Sequence, residues 1–324
     1  MAYHTTPYLL LFLPAALLFY QITPAKWRSY TLLIFSYLFF WSFSEKLINY
    51  LIGTTFLTHH ICIWMDTMDK RDKRKKRVFQ LGILLLLGTI LCLKYRNFFF
   101  GNVSKLAMVL HIDWSYQDQL IFLPIGISFY TLSAIGYMAD VYWGKVKAEY
   151  SLVKTALFLG FFPVIVEGPI CRWEDVEDTL FKNESVKAEN VFKGCYRIIW
   201  GLFKKMIIAD RLAVLVDKVY VGYESYSGAV IVVAAISYTI QLYMEFSGCM
   251  DMVIGSAGLF GIRLPENFSQ PFFAKTCTDF WKRWHITLGV WFKTYVFYPV
   301  SVSAIVKKWN KFGRKHLNKY ITKL

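Results

Sequence analysis

Apolar runs of about the length that crosses a bilayer recur along this 324-residue chain, and no other feature constrains its fold as strongly. Each needs about 30 Å of hydrocarbon to bury it, and they come too often to be core helices of a soluble globule. Hydrophobic residues make up 56% of the chain and charged residues 18%, and the mean hydropathy is +0.38. A soluble protein usually carries about 25% charged residues. These values exclude a disordered chain, a secreted disulfide scaffold and a soluble Rossmann or barrel enzyme. The expectation is an all-α polytopic membrane protein forming a single domain over residues 1–324. Six cysteines stand singly with no CxxC pair, which gives no zinc or redox motif.

The net charge of +15 sits in short segments between apolar runs, chiefly Lys70–Arg77 and the tail Lys307–Lys323. That placement fits membrane orientation better than nucleic-acid binding, because no soluble aromatic-basic module accompanies it. The first run, Pro7–Ile22, lacks a basic start and is followed by Lys26 and Arg28. It reads as an uncleaved helix with its N-terminus outside. Spans over about Tyr30–Phe43 and Leu47–Met65 then bring the Lys70–Arg77 loop to the cytoplasm, and the C-terminal tail is placed there too.

A fourth span covers Val78–Tyr95. Phe98–Ile112 is too short and too broken to cross, so it is expected to be interfacial or re-entrant. Ile121–Tyr142 and Leu152–Val166 are apolar again, and Arg172–Glu189 reads as an acidic surface loop or amphipathic helix. Between Val191 and Val221 apolar residues alternate with Lys193, Arg197, Lys204, Lys205, Asp210 and Arg211, a pattern for an interfacial helix or a wet cavity wall. Ala229–Phe246 is a span. A helix break is expected at Glu245–Gly248, followed by a half-length helix Met252–Ile262. The last apolar segment is Phe280–Val306.

Ionisable residues inside such segments are expensive and mark function by default. On a helix Trp281 and His285 would share a face with Trp284 and Leu288, and Asp279 would pair with Arg283 four positions on. His285 there could act as a general base. An interfacial aromatic belt with a structural histidine accounts for the same spacing. Glu245 and Asp251 flank Gly248; they read either as a polar tunnel wall, paired with a cation such as Arg263, or as caps at a helix break. Glu167 before Gly168-Pro169 is a similar but weaker candidate for such a wall, and a turn at the membrane surface is the favoured reading. No metal-spaced cluster, Ser–His–Asp arrangement or phosphate loop is present, and His4, His59, His60, His111 and His316 lack an obvious partner.

Five strings in unbroken order between about residues 120 and 300 resemble the membrane-bound O-acyltransferase family, closest to its alginate O-acetyltransferase-like branch. They are Pro124–Tyr130, Gly201–Lys205 with Ile208–Asp210, Phe246–Gly248 through Asp251, Leu264–Phe268, and Asp279–Leu288. The resemblance implies helices around a funnel or tunnel, with an acyl group passing from a cytoplasmic-side donor to a hydroxyl of an extracellular polysaccharide or cell-wall polymer. The donor would be a thioester co-substrate such as acyl-CoA or an acyl carrier, with no bound cofactor. Membrane lipids and an extracellular or periplasmic transferase or an acyl carrier protein are the implied partners.

His285 matches the earlier of two characteristic histidines of the family. The later one lies in a Gly-Leu-Trp-His-Gly-like string that this sequence does not contain, which implies a C-terminal truncation. Arg283, Trp284 and Asn267 are the candidates for oxyanion stabilisation or positioning, and Glu245, Asp251 and Asp279 for tunnel lining. The alternatives are a transporter or flippase for a lipid-linked or acylated intermediate, which broken helices and intramembrane carboxylates also suit, and an inactive remnant.

Overall fold

A computed structural model describes residues 2–69, 72–117 and 126–316. Lys70 and Arg71 of the basic loop, residues 121–125 of the expected 121–142 span and the tail beyond 316 lie outside the described residues. Secondary structure among the described residues is helical apart from one isolated bridge, Phe268 to Trp284. An all-helical design follows from the composition, because a helix satisfies its backbone groups internally where no water can do so. Among the described residues three stretches are long and apolar enough to cross a membrane: Ala25–Asp66, Lys73–Lys94 and Gly228–Leu259. The protein is a membrane protein.

The chain falls into two compact units, Met1–Pro265 and Glu266–Leu324. In the first, a π-helical segment Pro7–Phe12 leads into α1 (Leu13–Ile22), followed by α2 (Arg28–Ser44) and α3 (Ile48–Asp66). Glu45, at φ 43°, separates α2 from α3. Next come α4 (Lys73–Lys94) and α5 (Arg96–Val109). With 14 residues α5 is about 21 Å long, short of the hydrocarbon thickness as its sequence indicates.

After α6 (Ile127–Trp143), α7 (Leu152–Gly160) stops well before Val166, where the sequence suggests the apolar segment continues. Pro163 explains the stop, since it has no N–H to donate and disfavours helical backbone in the residue before it. The acidic stretch forms α8 (Trp173–Leu180), where the Asp175 carboxylate accepts the Arg172 backbone N–H at 3.0 Å. The core of this unit is aromatic: Tyr3, Tyr8, Phe12, Phe39 and Phe162 pack ring on ring. Its polar tips are satisfied, with the Tyr3 hydroxyl donating to the Phe162 carbonyl at 3.1 Å and Tyr8 to Ser256 at 3.0 Å.

α9 (Ala188–Leu202), a π-helical segment Phe203–Ala209 and α10 (Asp210–Val221) lie against α11 (Gly228–Leu259). The expected break and half-length helix are corrected here: α11 runs unbroken for 32 residues. Gly248 serves close approach instead of a turn. A Cβ at Gly248 would stand 2.8 Å from the Gly201 carbonyl, and one at Gly255 would stand 2.8 Å from that of Gly194. Paired glycines seven residues apart on each helix thus bring the two backbones together, the small-residue packing that membrane helices use in place of a hydrophobic drive.

The second unit contains α12 (Cys277–Arg283), α13 (Ile286–Phe292), a π-helical segment Lys293–Phe297, α14 (Tyr298–Ser301) and α15 (Ala304–His316). The apolar segment 280–306 is therefore no single helix. It breaks at Trp284–His285, and the shared face expected of Trp281 and His285 is lost.

Candidate active site

The break at His285 has a physical cause. Residues 267–269 run antiparallel to 283–286: the Ser269 N–H donates to the Arg283 carbonyl at 3.0 Å and the Ile286 N–H to the Asn267 carbonyl at 3.0 Å. Closing that contact turns His285 into the left-handed region, at φ 46° and ψ 53°. For a residue with a Cβ this costs roughly 1–2 kcal/mol, and strained backbone of this kind clusters at functional sites.

Asn267, fully buried, receives the imidazole. Its Oδ1 accepts the Thr287 backbone N–H at 3.1 Å and the Thr287 hydroxyl at 2.8 Å, and lies 3.2 Å from His285 Nδ1. The Thr287 N–H can only donate, so it fixes the amide with its oxygen toward this group. His285 Nδ1 must then carry the proton, which puts the basic lone pair on Nε2. Burial lowers the pKa of His285 below its ordinary value, so the ring is neutral near pH 7.

The other sequence candidates of this unit engage partners of their own. Arg283 Nε donates to Asp279 at 3.0 Å, as the four-residue spacing suggests, and Asp279 also accepts the Lys275 backbone N–H at 3.2 Å. The Arg283 guanidinium, with that backbone donor, holds the Asp279 carboxyl below the usual carboxylate range. Trp284 stacks on Phe280, with centroids 5.6 Å apart, and meets Phe268 edge-on at 5.1 Å. Thr287 is the member that spacing arguments miss. It lies within the 279–288 string, but its partner Asn267 is twenty residues upstream.

In the first unit Glu245 and Asp251 have cationic partners, though not Arg263. Asp251 accepts from Arg197 Nε at 3.1 Å and Lys204 Nζ at 2.6 Å, while Lys205 Nζ lies 2.6 Å from Glu245 and 2.7 Å from Asp210. The π-helical segment lets neighbouring Lys204 and Lys205 both reach α11 carboxylates. The Arg263 backbone N–H instead donates to Thr179. Glu245 and Lys205 line a cavity of about 130 Å³ with Tyr3, His4, Glu167 and Cys249, and the Cys249 thiol donates to Glu167 at 3.1 Å. Asp251 is not among the lining residues. Glu167, the weaker sequence candidate, therefore lines a polar wall instead of only a surface turn, and His4 joins it although its sequence neighbourhood gives no sign of that. Among the described residues no group of three or more His, Cys, Asp or Glu side chains is arranged to hold a metal.

Residues 145–312, which contain both the α9–α11 ion pairs and the Asn267–His285 group, match the profile of MBOAT, the membrane-bound O-acyltransferase family. The chain belongs to the membrane-bound O-acyltransferase family. Relatives agree along most of its length. The Pseudomonas aeruginosa protein named "Probable alginate O-acetylase AlgI" is 33% identical over 297 residues, covering 92% of this chain and 56% of that protein. The Helicobacter pylori "Peptidoglycan O-acetyltransferase" is 29% identical over 337 residues, covering 94% and 62%. The Bacillus subtilis "Teichoic acid D-alanyltransferase" is 30% identical over 193 residues, covering 58% and 48%. This chain of the O-acyltransferase family thus spans a little over half the length of the alginate O-acetylases it matches.

Proposed function

We propose that this protein is a membrane O-acyltransferase, transferring an acyl group, most simply acetyl, to a hydroxyl of an extracellular polysaccharide or cell-wall polymer. Family membership supports the reaction class, and the names of the relatives support the acceptor class. The donor is a thioester, such as acyl-CoA or an acylated carrier, delivered from the cytoplasmic side. The N-terminus is outside, and the Lys70–Arg77 loop and the C-terminal tail are cytoplasmic. An extracellular transferase or an acyl carrier protein is the expected partner.

The observation that carries the mechanism is the His285–Asn267–Thr287 hydrogen-bonded group. As the acceptor hydroxyl attacks the thioester carbonyl, His285 Nε2 takes its proton, a contribution of typically 10²- to 10⁴-fold. The C–O bond forms, the C–S bond breaks, and the proton held on the imidazolium goes to the departing thiolate. Asn267 positions the base and sets its tautomer. Arg283 is bound to Asp279, which gives it a framework task, and Trp284 stacks on Phe280. The reaction is read as direct transfer between two substrates; the Cys249 thiol, buried beside a carboxylate, sits in the opposite of the electropositive setting that activates a nucleophile.

Radiolabelled acyl transfer to polymer by the full-length protein in detergent, with no gradient, tests this reading. Labelled ester is expected from wild type and a loss of at least about 100-fold from His285→Ala. Wild-type rates in that variant remove His285 from the mechanism. Gradient-dependent movement without labelled ester favours a transporter.

A further inference from the structure

α15 is amphipathic in a particular way. Ile305, Trp309 and Phe312 follow one another at four- and three-residue steps and so share a face. Ile305 is 80% exposed, Trp309 71% and Phe312 56%. Lys307, Lys308 and Lys311 occupy the other side and its flank, all exposed. No Asp or Glu follows Asp279 anywhere in the sequence, so this stretch carries no acid of its own to balance them. Thirteen residues make a helix about 20 Å long, too short to cross hydrocarbon, and three mid-helix ammonium groups forbid crossing in any case.

A short helix with a tryptophan-bearing apolar face and a lysine face, in a membrane protein, has one environment that meets both faces at once. Its rings and aliphatic side chains enter the boundary between headgroups and acyl chains while its ammonium groups meet lipid phosphates. We infer that α15 lies flat on the membrane and binds anionic phospholipid headgroups through Lys307, Lys308 and Lys311, with Ile305 and Trp309 inserted beneath them. Charge complementarity selects the lipid: a basic face without internal counter-ions concentrates anionic over zwitterionic headgroups. This inference stands apart from the acyl-transfer reading, since it concerns a surface and needs no turnover.

The test uses the full chain in nanodiscs of equal phosphatidylglycerol and phosphatidylcholine, with the photo-cross-linking Trp309→p-benzoylphenylalanine substitution. The same probe replacing Leu84, an exposed position on α4, serves as the lipid-facing control. Mass spectrometry of the adducts is expected to show phosphatidylglycerol enriched about fivefold over phosphatidylcholine at position 309 and unenriched at position 84. Lys307→Gln with Lys308→Gln and Lys311→Gln is expected to abolish the enrichment while leaving lipid adducts in place. Adducts in proportion to bilayer composition at position 309 overturn the anionic preference. Adducts to protein, or none at 309 when 84 reports lipid, overturn the membrane placement.

Discussion

The Asn267 side-chain oxygen lies 3.2 Å from His285 Nδ1 across eighteen residues of sequence, and it is held there by two donors from Thr287. That relationship decides which imidazole nitrogen is basic. Asn267→Asp keeps the shape but adds a negative charge, which favours the imidazolium. The acid limb of its rate profile is therefore expected at higher pH than in wild type, with activity at neutral pH reduced and partly recovered in alkali. A limb at the wild-type position means that Asn267 does not govern the base.

The wild-type pH profile has a set sign. Burial lowers the His285 pKa from an ordinary value of about 6.5. Transfer is expected to be flat through neutrality and to fall tenfold per unit only at pH values below about 6.5. By linkage, stability present above the unfolded-state pKa is lost as the pH falls from there through the lower folded-state pKa, because the unfolded state protonates first. Initial rates in a series of buffers check the first statement, and melting temperatures in the same buffers check the second.

Backbone strain and chemistry can be separated at His285. Glycine tolerates φ 46° without penalty and alanine does not. His285→Gly is expected to be more stable than His285→Ala by about 1 kcal/mol, while both lose transfer to the same extent. Equal stability of the two variants means that the left-handed turn is not held in the folded protein.

Removing the Asp251 carboxylate takes away the anion that Arg197, on α9, and Lys204, on its π-helical extension, share; the side chains of Asp251 and Lys204 are only 12% and 14% exposed. Asp251→Asn is expected to cost about 2–4 kcal/mol in thermal stability. The double variant Asp251→Asn with Lys204→Met is expected to recover part of it. Additive losses would show that the pair is not coupled.

Gly248 tests the close helix contact. Gly248→Val pushes a branched side chain against the Gly201 carbonyl and the Lys204 Cβ, and a loss of about 1–3 kcal/mol or failure to extract as a monodisperse protein is expected. At Gly53, where a Cβ meets nothing within 4 Å, the matching substitution is expected to cost no more than about 1 kcal/mol.

Several of these features are legible from residue order alone, and others are not. Apolar run lengths give the membrane helices α2 to α4, and the four-residue spacing of Asp279 and Arg283 gives their ion pair. Gly248 misleads because a glycine that ends a helix and one that lets two helices touch are identical on the page. The difference lies in Gly201, 47 positions upstream of it, although the seven-residue glycine spacing on both segments is a signal that could have been read. His285 misleads for a related reason. Helical spacing holds only while the backbone is helical, and the pairing of 267–269 with 283–286 overrides local preference from outside the window. The partners of Glu245 and Asp251 were visible as Lys204, Lys205 and Arg197, but nothing local chooses them over Arg263 until the π-helical segment sets which side chains face α11.

The unbroken length of α11 has a mechanical consequence. Thirty-two residues at 1.5 Å each make a rod of about 48 Å, half again the hydrocarbon thickness, so the rod must lean or protrude. Glu245 lies seventeen residues from its start, and the glycine contacts lock the Lys205 segment to the same rod. Thinner or thicker lipid therefore changes the lean and carries both charges together toward or away from the water boundary. The bilayer's own dimension becomes a setting on how wet that cavity is.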